Sequence, residues 1–209
     1  MTEDHYFSAR PASPDERFSF TVDLVGREVG VDGAPGVFSH DRVDVGTSVL
    51  LKHVPVPPQG NLLDLGCGWG PIALAMALLR PDAHVWAVDV NERALDLTSR
   101  NAERAARTYP LAPVVAVRPE AVPPTLRFDA LWSNPPIRVG KEALHAMLSL
   151  WVPRLRPGAE AYLVVQRNLG ADSLAAWLAA RVDEHGAPWG TVDRVASSKG
   201  FRVLRLTRA

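Results

Sequence analysis

Hydrophobic residues alternate with polar ones at Phe18, Phe20 and Val22, the signature of a half-buried strand. A turn around Gly26 and a second short strand near Val29 and Val31 complete a predicted β-hairpin. Gly33, Pro35 and Gly36 then break the pattern before Val37-Phe38-Ser39. From residue 47 the periodicity switches between helix and strand. Residues 47–53 read as a short helix, stopped by Pro55, Pro57 and Pro58. Strands are predicted over 61–65, 84–88, 114–117, 128–132 and 159–165. Between them lie helices over 71–79, with proline in the first turn, and from an Asn91 cap to about Arg107. Further helices cover 141–151 and a segment capped by Asp172. The tail reads as two strands, 191–195 and 201–206, around Ser197-Ser-Lys-Gly200.

Strands alternating with helices predict an α/β fold, a Rossmann-like, doubly wound sheet. It has seven mostly parallel strands and an antiparallel hairpin at one edge. Residues 1–45 form an N-terminal arm and β-hairpin, the first 16 or so being polar and loose; residues 46–209 form one compact unit. A chain of 209 residues, 47% hydrophobic and 22% charged, excludes wholesale disorder, collagen-like and coiled-coil classes.

The 23 basic and 23 acidic residues cancel, which removes global polycation character and leaves only a local patch for nucleic acid. Only Lys52, Lys141 and Lys199 among the basic residues are lysine; arginine suits phosphate and base edges, although GC-biased coding yields the same excess. The single Cys67 excludes an internal disulfide and a cysteine-based zinc site, and the six histidines show no metal-binding spacing, so no metal is expected. No run approaches the roughly 18 apolar residues of a membrane span, and Met1 to Arg10 lacks a secretion signal. A soluble, cytoplasmic protein without membrane partners is the expectation.

Asp64-Leu-Gly-Cys-Gly-Trp-Gly70 joins the first strand of the sheet to its helix. Its glycines let a ligand approach the backbone and are expected to expose N–H groups at a helix N-terminus. The spacing is G-x-G-x-G, with Pro71 where a nicotinamide-binding loop has its final glycine. A tight turn alone would also use these glycines. Asp89 ends the next strand, where a carboxylate can accept both hydroxyls of a ribose. After the fourth strand comes Ser133-Asn134-Pro135-Pro136-Ile137. The prolines would end a strand in any protein, yet they also present the Asn134 side chain and a backbone carbonyl as rigid acceptors for an exocyclic NH₂.

With these residues the sequence resembles the Class I S-adenosylmethionine-dependent methyltransferases that modify nucleobase amines. It is most similar to the small-domain group that includes the catalytic half of bacterial small-subunit rRNA guanine-N2 methyltransferases. The matching stretches are Gly36-Val-Phe-Ser39, Asp44-Val-Gly-Thr47 with Leu50-Leu51, Leu63-Asp-Leu-Gly-Cys-Gly68, Asp89, Phe128-Asp129, Ser133-Asn-Pro-Pro-Ile137 and Lys199-Gly-Phe-Arg-Val203.

The resemblance implies S-adenosyl-L-methionine as cofactor, S-adenosyl-L-homocysteine as product and RNA, in particular ribosomal RNA, as substrate. Asp64, Gly66, Cys67 (by backbone) and Gly68 would line the methionine part, Asp89 with Val90 the ribose side, and Glu120 and Ala121 the adenine. Asn134, Pro135 and Pro136 would act on the target amine, with Asn134 also touching the cofactor. Phe38, Ile137, Arg138 and Lys199 would meet the substrate. Two departures stand out: Arg118-Pro119 displace the acid expected after the third strand, and Ile137 replaces the aromatic that usually closes the motif. Phe38 is then a substitute for stacking. Arg138, Lys141, Arg167, Lys199 and Arg202 would grip phosphates or stand as solvated loop charge. Trp69, Trp132 and Trp151 read as core, Cys67 as packing, and Asp44 with Gly46 as a helix cap or a closure over the cofactor. Transfer would be direct and in line, onto a base that is unpaired or flipped. The alternatives are a same-fold methyltransferase for a small molecule or a protein amide, and a nicotinamide-binding or non-catalytic nucleotide module.

Overall fold

The computed structural model describes residues 16–209, so nearly all of the arm expected at the start of the chain lies outside the described residues. The hairpin forms as the alternation predicts, with β1 (Phe18–Leu24) antiparallel to β2 (Arg27–Gly33). Val25 and Gly26 both take positive φ, as a two-residue turn matched to strand twist requires.

The main sheet contains β3 (Asn61–Leu65), β4 (His84–Val88), β5 (Val114–Val117), β6 (Phe128–Ser133), β7 (Leu155–Gln166), β8 (Gly190–Ser198) and β9 (Phe201–Arg208). Their order is β5-β4-β3-β6-β7-β9-β8. The first five neighbours pair in parallel, while β9 runs antiparallel to both β7 and β8. The helices are α1 (Val45–His53), α2 (Pro71–Leu79), α3 (Glu92–Ala106), α4 (Lys141–Trp151) and α5 (Ala171–Ala179). Strand order reverses between β3 and β6, and this switch point at the strand C-termini is where open α/β sheets bind ligands.

The central strands are apolar on both faces because both are covered. Leu62 packs with Ile72, Ala73 and Met76 of α2, whereas Leu63 packs on the opposite side with Leu148 and Trp151 of α4. Trp69 and Trp132 are buried in the core as the sequence suggests.

Two helix starts differ from expectation. Helix α1 begins at Val45 because the Asp44 carboxylate accepts from the Gly46 and Thr47 N–H groups. Helix α5 is not capped by Asp172. Gly170, at φ 97°, turns the chain into the helix, and Asp172 sits in the first turn paired with Arg202.

The hairpin docks on α3 through a fully buried asparagine. Asn101 accepts from the Asp32 N–H (2.7 Å) and donates to the carbonyls of Asp32 (3.1 Å) and Trp69 (2.9 Å). Beyond β2, Asn91 Nδ2 donates to the Gly36 carbonyl and Trp69 Nε1 to that of Ser39. Residues 36–39 are thereby pinned beside the loop that follows β3. Asn101→Ala should strand the Asp32 N–H and the Trp69 carbonyl and cost about 2–3 kcal/mol. For a chain of this size that lowers the melting temperature by roughly 4–12 °C, as a thermal scan would show.

Candidate active site

The loop from β3 to α2 contains Gly66 and Gly68, at φ 79° and 58°. A Cβ on either would meet nothing nearer than Pro136 Cδ or the Phe38 carbonyl, both at 3.9 Å, so the loop offers bare backbone to open space. Its N–H groups point elsewhere. Gly66 and Cys67 donate to the Val88 carbonyl (2.8 and 3.1 Å), Gly68 to Asp89 Oδ2 (3.0 Å) and Gly70 to the Cys67 carbonyl (2.9 Å). The Ala73 N–H, in the first turn of α2, goes to Asp64 Oδ2 at 2.9 Å. Of the N–H donors expected at this helix start, those of Gly66, Cys67, Gly68, Gly70 and Ala73 are thus taken up by the end of β4, the loop itself and two aspartates, while those of Trp69 and Ile72 have no partner among the described residues.

What the site presents instead is acceptors. Asp89 receives Gly68 N–H on one oxygen and Asn91 N–H on the other. Burial raises its pKa above the ordinary carboxylate range, opposed by those N–H groups and that of Val90. Asp64 is fully buried beneath the loop, and burial pushes it up to about 8, outweighing the Ala73 hydrogen bond. Its Oδ1 has no hydrogen-bond partner among the described residues.

Across the cavity, Ser133 Oγ donates to the Leu65 carbonyl at 2.6 Å and ties the end of β6 to that of β3. Asn134 follows. Its Nδ2 donates to Asp44 Oδ2 (2.9 Å) and Thr47 Oγ1 (3.1 Å). A carboxylate only accepts, so this contact fixes which end of the amide is nitrogen and leaves Oδ1 as the unengaged acceptor. The Pro135 carbonyl accepts from Ile137 N–H at 2.8 Å and keeps one lone pair.

These elements enclose a cavity of about 750 Å³. Among the residues predicted for the site, Phe38, Gly66, Gly68, Asp89, Val90, Asn134, Pro135, Pro136 and Ile137 line it together. Asp64, Cys67, Glu120, Ala121 and Lys199 do not. Cys67 turns its Sγ toward Gly68 and Thr98 in the core, where burial raises the thiol well above its usual range, as befits packing rather than nucleophilic chemistry. Glu120 is turned out to pair with Arg118, its side chain 72% exposed, and Pro119 takes the wall instead. Lys199 stands at the β8–β9 turn, from which Phe201 reaches the lining. The side chain of Arg138 lies outside the described residues; Ile137 and Val139 on either side of it line the cavity. Arg202, read as a phosphate grip, is engaged by Asp172.

Sequence spacing missed Gln166, Met147 and Leu169 in the wall, and assigned Trp151 to core alone although it also forms part of the floor. Among the described residues no group of three His, Cys, Asp or Glu could hold a metal, and no helix is long and apolar enough to cross a membrane.

The raised Asp64 makes a pH prediction. The folded state holds the proton more tightly than the unfolded chain, so this residue's stabilisation is complete below about pH 4 and declines as pH rises to about 8. Asp64→Asn removes that dependence. The melting temperature of the variant minus that of wild type should climb between pH 4 and 8 in the ligand-free protein; a flat difference would contradict a buried, protonated Asp64.

The model of the methyltransferase small domain family matches residues 28–205. Uncharacterized protein YbxB of Bacillus subtilis is 31% identical over 206 residues, covering 97% of each chain. The ribosomal RNA small subunit methyltransferase C of Ectopseudomonas mendocina is 31% identical over 205 residues, which is 95% of this chain and 58% of that protein. Among solved structures, the 16S rRNA N2 G1207 methyltransferase of T. thermophilus, in complex with AdoMet and guanosine, superposes with a TM-score of 0.77 at 24% identity. That match covers 95% of this chain and 52% of the other, so the chain spans little more than half the length of these rRNA enzymes. With its Rossmann-like sheet and acceptor-lined switch point, the chain belongs to the methyltransferase small domain family, whose cofactor is S-adenosylmethionine.

Proposed function

We propose that this chain methylates an exocyclic amine of a nucleobase, guanine N2 in small-subunit ribosomal RNA, in the cytoplasm. The observation that carries the reading is the amide of Asn134, fixed through its Nδ2 by Asp44 and Thr47 in the wall of the same cavity as Asp89. The names of the rRNA methyltransferase relatives support the choice of guanine and of RNA.

The site suits the cofactor by its chemistry. S-adenosylmethionine, when bound, supplies an electrophilic methyl group on a cationic sulfonium. A cation with hydroxyl and amino donors matches a site whose lining includes the Asp89 and Asp44 side chains and backbone carbonyls. Asp89 accepts the ribose hydroxyls, and Val90, 39% exposed in the wall, covers the adenine with Pro119. Gly66 and Gly68 let the methionine part approach the backbone, while Asp64 and Cys67 hold that loop from beneath. On the other side, Phe38, 46% exposed, and Ile137 flank the base. Lys199 and Arg138 are left to RNA phosphates.

The target amine becomes cationic as its new bond forms. Asn134 Oδ1 and the spare lone pair of the Pro135 carbonyl accept its N–H groups, so they hold the transition state more strongly than the neutral base. Asn134 is no base at neutral pH, and the surplus proton leaves to water.

Asn134→Ala should lower single-turnover transfer by about 10²–10³ while S-adenosylhomocysteine affinity stays near wild type. Transfer close to wild type would overturn the assignment. Asp89→Ala should weaken S-adenosylhomocysteine binding by about tenfold or more in calorimetry, since each charge-assisted bond contributes about 1.5–3 kcal/mol. Nucleoside mass spectrometry of small-subunit rRNA from cells with and without the protein tests the substrate. An unchanged guanine-N2 methylation profile would favour a small-molecule or protein-amide substrate.

A further inference from the structure

Asp44 does more than cap α1. One of its oxygens, Oδ2, is saturated by the N–H groups of Gly46 (2.7 Å) and Thr47 (3.3 Å) and by Asn134 Nδ2 (2.9 Å). The other, Oδ1, makes no hydrogen bond among the described residues, and Asp44 lines the cavity next to Asn134. The carboxyl group cannot swing away, because three donors hold it and Gly46 leaves no slack: a Cβ there would lie 2.9 Å from both Asp44 Oδ2 and Phe201. The site therefore carries a fixed, acceptor-only oxygen beside the residue that would hold the amine.

We infer that Asp44 reads the base, its Oδ1 accepting the ring N1–H that adjoins the 2-amine of guanine. This rests on the reading of the site as a base-amine methyltransferase. Guanine presents two neighbouring donors, N1–H and the 2-amine, which suit a carboxylate and an amide oxygen side by side. Adenine beside its 6-amine presents ring nitrogens with lone pairs. Facing Asp44 Oδ1, such a nitrogen sets acceptor against acceptor and leaves a buried charge without a donor. A pocket built to receive an N–H rejects the analogue that lacks it far more strongly than a shape-only pocket does. Guanine selectivity thus comes from a residue 90 positions away from Asn134 in sequence.

The test compares short pyrimidine RNAs containing one guanine with the same RNAs carrying 2-aminopurine, which keeps the 2-amine but lacks N1–H together with the O6 carbonyl, so the Asp44→Asn comparison assigns the preference to N1–H. Binding to protein saturated with S-adenosylhomocysteine and methyl transfer with S-adenosylmethionine are both measured. Wild type should prefer guanine by at least tenfold in each. Asp44→Asn keeps an oxygen for Gly46, Thr47 and Asn134 and puts an NH₂ in place of Oδ1, so the preference should collapse to within threefold or invert. Unchanged melting temperature and S-adenosylhomocysteine affinity certify the variant's fold; should the variant not fold, equal use of the two bases by wild type still overturns the inference. Equal use of the two bases by wild type, or undiminished preference in a folded Asp44→Asn, overturns the role of Asp44. If wild type binds and methylates neither RNA above an all-pyrimidine control, the base-amine reading itself falls, and this inference with it.

Discussion

The hydrogen bonds from Gly66 and Cys67 to the Val88 carbonyl fix the character of the whole site. They bend the chain leaving β3 over the end of β4, and in doing so turn the loop's donors inward. Gly68 follows the same course and donates to Asp89. A glycine-rich turn at a helix N-terminus ordinarily favours anions. Here most of those donors are used internally and Asp89 and Asp44 line the cavity, so the site favours a cation. The same glycine-rich architecture thus separates two cofactor classes by where its N–H groups point.

The second wall of the site depends on the N-terminal hairpin. Asn101, Asn91 and Trp69 use buried hydrogen bonds to hold residues 32–39 against α3 and the glycine loop, which brings Phe38 to the cavity opposite Gly68. Each of these groups is out of water, where an unmade hydrogen bond is costly. The hairpin is therefore structural support for the site, sharing its core of Leu24, Val29 and Val31 with Trp69, Leu74 and Leu97.

Much of this was legible from spacing. The bounds of β3, β4, β5, α2 and α4 follow from apolar runs closed by Gly, Pro and Asn, since local chemistry decides them. Asp89 and Asn134 stood out because strand ends at a switch point are where ligands sit. Glu120 lies outside the cavity lining, paired with Arg118 beyond the Pro119 turn, a placement its distance from β5 does not encode. The fate of the loop N–H groups was hidden for a similar reason: the Val88 carbonyl is a backbone acceptor from another strand, and backbone acceptors leave no mark on a sequence. The link between Asp44 and Asn134 joins residues far apart in the chain, which no periodicity records.

The position of β9 has a consequence for how the molecule comes into being. It pairs with β7 from Glu160↔Thr207 to Gln166↔Phe201, so it lies inside the sheet, with the earlier β8 outside it. Ribosomes deliver a chain from its N-terminus, and its early segments fold first. Until residues 201–208 emerge, β7 has an open edge and the cavity lacks Phe201. The Asp89 and Asn134 ends of the pocket come earlier in synthesis than the wall that Phe201 supplies. Formation of the cavity wall is thereby coupled to the seating of β9 against β7.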